Sequence, residues 1–252
     1  MLFSGQNKVK DIQNLKIQID GKYVDQIGNS CKEKYFEFVG HVLDENLTWE
    51  GHAEHLAKKL ASANFAVNSS KNFLPSHIRK TIYFSLFDSH LNFGNILWGC
   101  AANKFLKKID TLQKKCIRNV DLQKYNAHSE PIFKRLGILK ISDKIAYNQA
   151  IFMHQYRNKK LPTSFENMFL DITDTNDLQT RNNDYNFINR PAIKKYLEKY
   201  PTKVMISTWN HLDIDCKSTA EPDEFKILLK HKFLSSYNSE PDCEANCFVC
   251  NN

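Results

Sequence analysis

Asn103-Lys104-Phe105-Leu106-Lys107-Lys108-Ile109-Asp110-Thr111-Leu112-Gln113-Lys114-Lys115-Cys116-Ile117-Arg118-Asn119-Val120 carries two patterns at once. Phe105, Ile109, Leu112, Cys116 and Val120 recur at three- and four-residue steps, the period of one helix face. Lys104, Lys107, Lys108, Lys115 and Arg118 recur at the same steps on another face, and Lys114 lies beside them. Six cations minus the single acid Asp110 leave a local charge of +5. A face so poor in acids can follow a phosphate backbone and displace its counterions. An ordinary solvated face mixes both signs. The stretch predicts an amphipathic helix with one side in the core and the other against a polyanion.

Helical spacing extends on both sides of it. Thr48 is placed to cap a helix whose stripe is Ala53, Leu56, Ala57, Leu60, Ala63 and Val67. Pro75 suits a first helical position, with Ile78, Ile82 and Leu86 recurring every four residues behind it. Residues 91–98 read as a short helix ended by Gly99, and Trp98, Cys100 and Cys116 read as core. Beyond a linker at 125–129, Ser129-Glu130-Pro131 opens a short helix that Gly137 can end. Ser142-Asp143 opens a longer one with Ile145, Ala146, Ala150, Phe152, Met153 and Tyr156 inward. Residues 171–189, rich in Asn and Asp, read as an exposed loop, and Lys203-Val204-Met205-Ile206-Ser207 as a strand. Residues 221–237 form a closing helix with Phe225, Leu228, Leu229 and Phe233 inward.

The other strand signals lie in the first fifty residues. Leu15-Lys16-Ile17-Gln18-Ile19 alternates apolar and polar and meets the turn pair Asp20-Gly21. Tyr35-Phe36-Glu37-Phe38-Val39-Gly40, continuing into His41-Val42-Leu43, reads as a strand in which Gly40 marks a bulge or a close backbone approach. Met1-Leu2-Phe3 reads as an edge strand, and a start inside a strand is what a piece of a longer parent would show. The chain as a whole predicts an α+β, predominantly α-helical fold. A small N-terminal β-hairpin region (1–48) packs on a helical unit (49–124), and a second mostly helical unit with a Cys-containing tail follows (125–252).

Composition narrows the function classes. The 252 residues carry 35 Lys and Arg against 28 Asp and Glu, a net +7 that favours an acidic partner. Seven scattered cysteines with no preceding signal peptide read as reduced thiols of the nucleus or cytoplasm. No apolar run approaches the roughly 20 residues a bilayer crossing needs, so no membrane partner is expected. Phosphate-cradling G-x-x-x-x-G-K-[ST] and nucleophile-elbow G-x-S-x-G motifs are absent from the sequence. His52 and His55 stand three apart with Glu54 between them, which fails the zinc-protease spacing, and they read as surface residues. Asp213 and Asp215 lack a third acid to make a metal pair. Cys243, Cys247 and Cys250 make a C-x3-C-x2-C cluster that supplies three of the four ligands zinc takes, with His231 or Cys216 as a fourth. Read without metal, they are three reduced thiols on a tail, and no other cofactor is expected.

Four ordered stretches resemble one family. Phe38-Val39-Gly40-His41-Val42-Leu43-Asp44-Glu45-Asn46-Leu47-Thr48-Trp49 resembles the segment that follows the polymerase palm in non-LTR (LINE-type) retrotransposon reverse transcriptases. Leu74-Pro75-Ser76 through Leu86, with Ser89-His90-Leu91-Asn92-Phe93-Gly94 and Leu97-Trp98-Gly99, resembles the region after it. Leu112-Gln113-Lys114-Lys115-Cys116-Ile117-Arg118 resembles the family's basic helix, and Trp209-Asn210-His211-Leu212 with the closing helix its C-terminal end. The resemblance implies a primer-grip-like hairpin at Phe38, Val39 and Gly40. It also implies a thumb-like helical unit over 49–124 gripping RNA, DNA or an RNA–DNA hybrid, and a C-terminal extension after it. Polymerase chemistry in that family needs two adjacent aspartates on the palm to hold metal ions, and no Asp-Asp pair occurs here. The chain is therefore expected not to be an enzyme on its own. It reads as a truncated reverse-transcriptase-like protein that binds nucleic acid. Two alternatives stand beside that reading. It is the C-terminal piece of an active RNA-directed DNA polymerase whose catalytic half is encoded upstream, with that missing portion as a partner, or it is a domesticated or decayed remnant serving as a protein-interaction module.

Overall fold

The computed structural model describes residues 16–24, 28, 31, 33–172, 185–191 and 200–238. One carboxylate organises the entry to the first long helix, α1 (Glu50–Ser69). Asp44 accepts hydrogen bonds from the backbone N–H groups of Asn46, Thr48 and Trp49 and from the Thr48 hydroxyl, at 3.0–3.2 Å. The cap position falls on Trp49, in the left-handed region at φ 63°, one residue later than expected. Thr48 still serves the helix, because its Oγ1 accepts from the Glu50 N–H at 3.3 Å. All six residues of the expected stripe, from Ala53 to Val67, are buried.

Two antiparallel hairpins precede α1. Strands β1 (Gln18–Ile19) and β2 (Lys22–Tyr23) join through Asp20-Gly21 as expected. Strands β3 (Tyr35–Phe38) and β4 (His41–Asp44) correct the single bulged strand read from the sequence. Val39 and Gly40 are a tight turn with φ of 47° and 74°, the positive pair whose twist matches a two-residue hairpin. The other half of the Gly40 expectation is met, since a Cβ there would sit 3.2 Å from the Phe93 ring. Alternation alone did not reveal the turn because Val39, β-branched, is an unfavourable residue at positive φ.

The next helices correct a row of residues. Helix α2 (Ser76–Ile82) runs through a π-helical turn (Tyr83–Asp88) into α3 (Ser89–Asn92). Arg79, Tyr83, Phe87 and Leu91 face inward, while Ile78 and Leu86 remain exposed. The inward row begins with a buried cation. Arg79 donates through Nε to the Val120 carbonyl at 3.0 Å and through Nη1 to the Leu74 carbonyl. It thus neutralises the unsatisfied carbonyl end of helix α5 (Asn103–Val120), where a positive charge is favoured. The helix expected over 91–98 is broken at Phe93-Gly94, and α4 (Asn95–Trp98) restarts from Gly94 at φ 60°.

Helices α6 (Glu130–Leu136), ended by Gly137 at φ 64°, and α7 (Ile141–Arg157) follow the expected order. The strand expected at 203–207 is instead the interior of α8 (Pro201–Asn210). Val204 and Ile206 favour strand locally, but Pro201 opens a helix and Met205, Ile206 and Trp209 bury one helical face. Helices α9 (Ile214–Ser218) and α10 (Pro222–Ser235) complete the described chain. Leu228 of α10 is exposed rather than inward, whereas Phe225 and Leu229 are buried. The mainly helical α+β class holds. The residues expected to form an N-terminal edge strand, and those of 173–184, lie outside the described residues.

Side chains gather in two apolar clusters. The larger joins α1, the π turn, α5, α6 and the start of α7, with Leu60, Tyr83, Phe87, Trp98, Ile109, Ile117 and Phe133 inside. The smaller joins the end of α7 to α8, α9 and α10 around Met153, Trp209 and Phe225. Helix α7 crosses both, and Tyr147 and Phe233 touch each.

Candidate nucleic-acid interface

Helices α1 and α5 pack side by side and run parallel. Lys104 meets Glu50 near their starts at 3.7 Å, and Asn119 donates to Asn64 near their ends at 2.7 Å. Burial of Ile109, Gln113, Cys116, Ile117, Asn119 and Val120 fixes which face of α5 is inside. Gln113 is held there by complete pairing. Its Nε2 donates to Tyr83 Oη and the Leu139 carbonyl, and its Oε1 accepts from the Ile141 N–H. Burial also pushes the Cys116 thiol up to about 12, so this cysteine is an inert core residue.

The six basic side chains take the opposite face. At about 100° per residue they fall within an arc of roughly 120° that extends about 21 Å from Lys104 to Arg118. Lys104, Lys107, Lys108 and Lys115 are exposed. Lys114 is half-buried and paired with Asp110 at 2.6 Å. Lys104 lies 4.5 Å over the Phe105 ring besides its contact with Glu50. Lys107, Lys108 and Lys115 have no ion pair among the described residues. Arg118 differs from the other five. Its Nε donates to the Ala127 carbonyl at 2.7 Å, and partial burial lowers its pKa against the raising effect of Asp110. It anchors the loop after α5 as well as adding charge.

Aromatic side chains that sequence reading did not single out stand at the C-terminal end of this helix pair. Phe65 follows Asn64, which binds α5; Phe73 precedes Leu74, whose carbonyl shares the Arg79 guanidinium with Val120; Tyr125 lies in the loop held by Arg118. They are 72%, 82% and 89% exposed. Phe65 was legible in one respect, since it falls off the buried stripe of its helix.

Phe38 and Val39 are exposed at the tip of the second hairpin, and Gly40 turns the chain back toward α1. A column of rings fixes this hairpin to the body. His41 stacks on Phe93 at 4.8 Å and on His52 at 5.2 Å, and His52 lies 6.0 Å from Trp98. His41 Nδ1 donates to the Val39 carbonyl at 3.2 Å, and His52 Nδ1 accepts from the Val42 N–H at 3.4 Å. Both Nε2 atoms are buried without a partner among the described residues. Burial first, and then the positive surroundings of His41, His55 and Lys59, lower the His52 pKa to about 4. His52 is thus a neutral core ring, not the surface residue expected, whereas His55 is half-buried.

The three tail cysteines, Cys243, Cys247 and Cys250, lie outside the described residues. Of the two candidates for a fourth ligand, Cys216 is buried in the smaller cluster and His231 is exposed on α10. Asp213 is ion-paired with Lys232. Among the described residues no three His, Cys, Asp or Glu side chains gather as a metal group, and no helix is long and apolar enough to cross a membrane. Compared with known proteins, no family model, no curated protein and no solved structure matches the chain.

Proposed function

We propose that the chain binds the phosphate backbone of a nucleic acid through the outer face of α5, without sequence preference. The observation that carries this reading is the exposure of Lys107, Lys108 and Lys115 without ion-pair partners, opposite a face fully committed to the core. Phosphate contacts from lysine are charge contacts, blind to base identity. Lys104 and Lys114 add to the field, and Arg118 adds charge while holding the following loop. The resemblance to LINE-type reverse transcriptases fits this role, with Phe38, Val39 and Gly40 as a primer-grip-like tip. The absence of an Asp-Asp pair leaves polymerisation to any catalytic portion supplied by another chain or segment. A reducing compartment, nucleus or cytoplasm, is where such a partner is met.

The test is titration of a labelled RNA–DNA hybrid duplex at two salt concentrations with the parent protein and Lys107→Glu/Lys108→Glu. The parent should bind at micromolar affinity or better, with log affinity falling by about 0.9 per phosphate contacted as log salt rises. The double reversal should weaken binding about a hundredfold at low salt, equally on unrelated sequences. Unchanged affinity would remove α5 from the interface and favour a protein-interaction module.

A further inference from the structure

The lysine row of α5 does not end in open polar surface. Past Val120 the chain turns at Leu122, in the left-handed region at φ 57°, and presents Tyr125 almost wholly to solvent. Arg118 ties this loop back through Ala127. Beside it, Arg79 draws the 70–74 turn against the end of α5 by bonding Leu74 and Val120 with one guanidinium, which brings Phe73 to the same end. The Asn119–Asn64 hydrogen bond sets the register of α1 there, and Phe65 is the next residue, turned away from the buried stripe. Three exposed aromatic side chains, the least buried of them Tyr125, thus lie on the segments that meet at the end of the helix pair where the lysine row terminates. Asp121, the acid that directly follows α5, is ion-paired with Arg135.

We infer that the site takes a single strand of RNA or DNA, with its phosphates along Lys104, Lys107, Lys108 and Lys115 and its bases on Phe65, Phe73 and Tyr125. This rests on the phosphate-binding reading above and adds the strand state of the ligand. Stacked, paired bases in a duplex hide their faces from exposed rings, whereas an unpaired strand offers every base as a π surface. A basic row that leads to unshielded aromatics is the combination that sequence-tolerant single-strand binders use. Three exposed rings bring no benefit to a monomer in water, and the surrounding cations disfavour a basic copy of this same chain as the occupant.

The experiment compares fluorescein-labelled single strands, oligo(rU) and oligo(dT), with a duplex of the same length by anisotropy at low salt. The parent should bind single strands more tightly than the duplex. Phe65→Ala/Phe73→Ala/Tyr125→Ala should lose at least about tenfold in single-strand affinity, stacking being worth about five- to 150-fold per base. Its duplex affinity should stay within twofold, and its helical circular dichroism should match the parent. Tyr125→Trp should retain affinity and show fluorescence quenched by the single strand and not by the duplex. A triple variant that binds single strands as the parent does, or that loses affinity equally for both probes, overturns the inference while phosphate binding stands. Failure of the parent to bind any probe at low salt overturns both. A preference between oligo(rU) and oligo(dT) identifies which strand chemistry supports the assignment.

Discussion

Helices α5 and α7 have nearly the same length, 18 and 17 residues, and both enter the larger core, yet the cations of α7 are engaged within the fold while Lys107, Lys108 and Lys115 of α5 have no ion pair among the described residues. In α7 they are turned inward or paired. Lys144 binds the buried Asp88 carboxylate at 2.6–2.7 Å, and Arg157 reaches Asp171 at 3.2 Å and lies over the Tyr185 ring. In α5, Lys107, Lys108 and Lys115 point to water without ion-pair partners. The helices differ in number, with six Lys and Arg in α5 against two in α7, and also in whether each charge is satisfied within the fold. Only an unsatisfied charge is available to a ligand.

The sharpest way to break that comparison is to delete one cation from each helix. Lys144→Ala strands Asp88, whose side chain is 6% exposed and keeps only Asn92 as a donor among the described hydrogen bonds. Removing one member of a buried pair costs about 3–5 kcal/mol. Lys107→Ala, at an exposed helix position, should change stability by less than about 0.5 kcal/mol. Urea denaturation of both variants measures this directly. Equal midpoints would mean that the Lys144–Asp88 pair is not structural and that the contrast between the helices is unfounded. The polyanion titration should give the mirror image, with α5 reversal reducing affinity about a hundredfold and leaving the urea midpoint in place.

Acid sharpens the same division. His52 is held neutral within the ring column, with its pKa lowered from 6.5 to about 4, and burial also lowers that of His154. Below about pH 6.5 the unfolded chain takes up a proton that folded His52 refuses until near pH 4. The stability contributed by the neutral ring is therefore complete above pH 6.5 and is lost as pH falls from there toward 4. His52→Phe keeps a ring in the column and removes the titration, so its stability should decline less over that window. A variant with the parent's full acid sensitivity would place the responsible group elsewhere.

The two helices also show what the sequence could reveal. Both faces of α5 were legible, because a 3.6-residue period in apolar residues and a one-signed run in charged ones depend only on local spacing. The α1 stripe was legible for the same reason. The inward row of α2 was not, because rows starting at Ile78 and at Arg79 have the same four-residue period. Only the carbonyl end of α5, distant in sequence, decides that the cation goes inside. Helix α8 was hidden by Val204 and Ile206, whose local preference yields to burial of Trp209 against the smaller cluster. The aromatic end of the site was out of reach as well. The segments carrying Phe65, Phe73 and Tyr125 meet at one end of the helix pair through Asn64–Asn119, Arg79 and Arg118, contacts between residues distant in sequence or in a loop.

The smallest effect tests a third region, the hairpin tip. Val39 holds φ 47° with its side chain 70% exposed, so it bears the left-handed penalty of about 1–2 kcal/mol with little packing in return. Val39→Asn creates Asn-Gly, the pair that favours this turn, and should stabilise the protein by about 0.5–1 kcal/mol. The Val39 carbonyl, which accepts from His41 Nδ1, is unaffected by the exchange. Affinity for nucleic acid then places the tip on one side of the comparison. If it is unchanged, the tip belongs with α7, as structure alone. If it falls while stability rises, the exposed valine is retained for contact, and the strain marks Phe38 and Val39 as a working part of the interface, as the primer-grip resemblance implies.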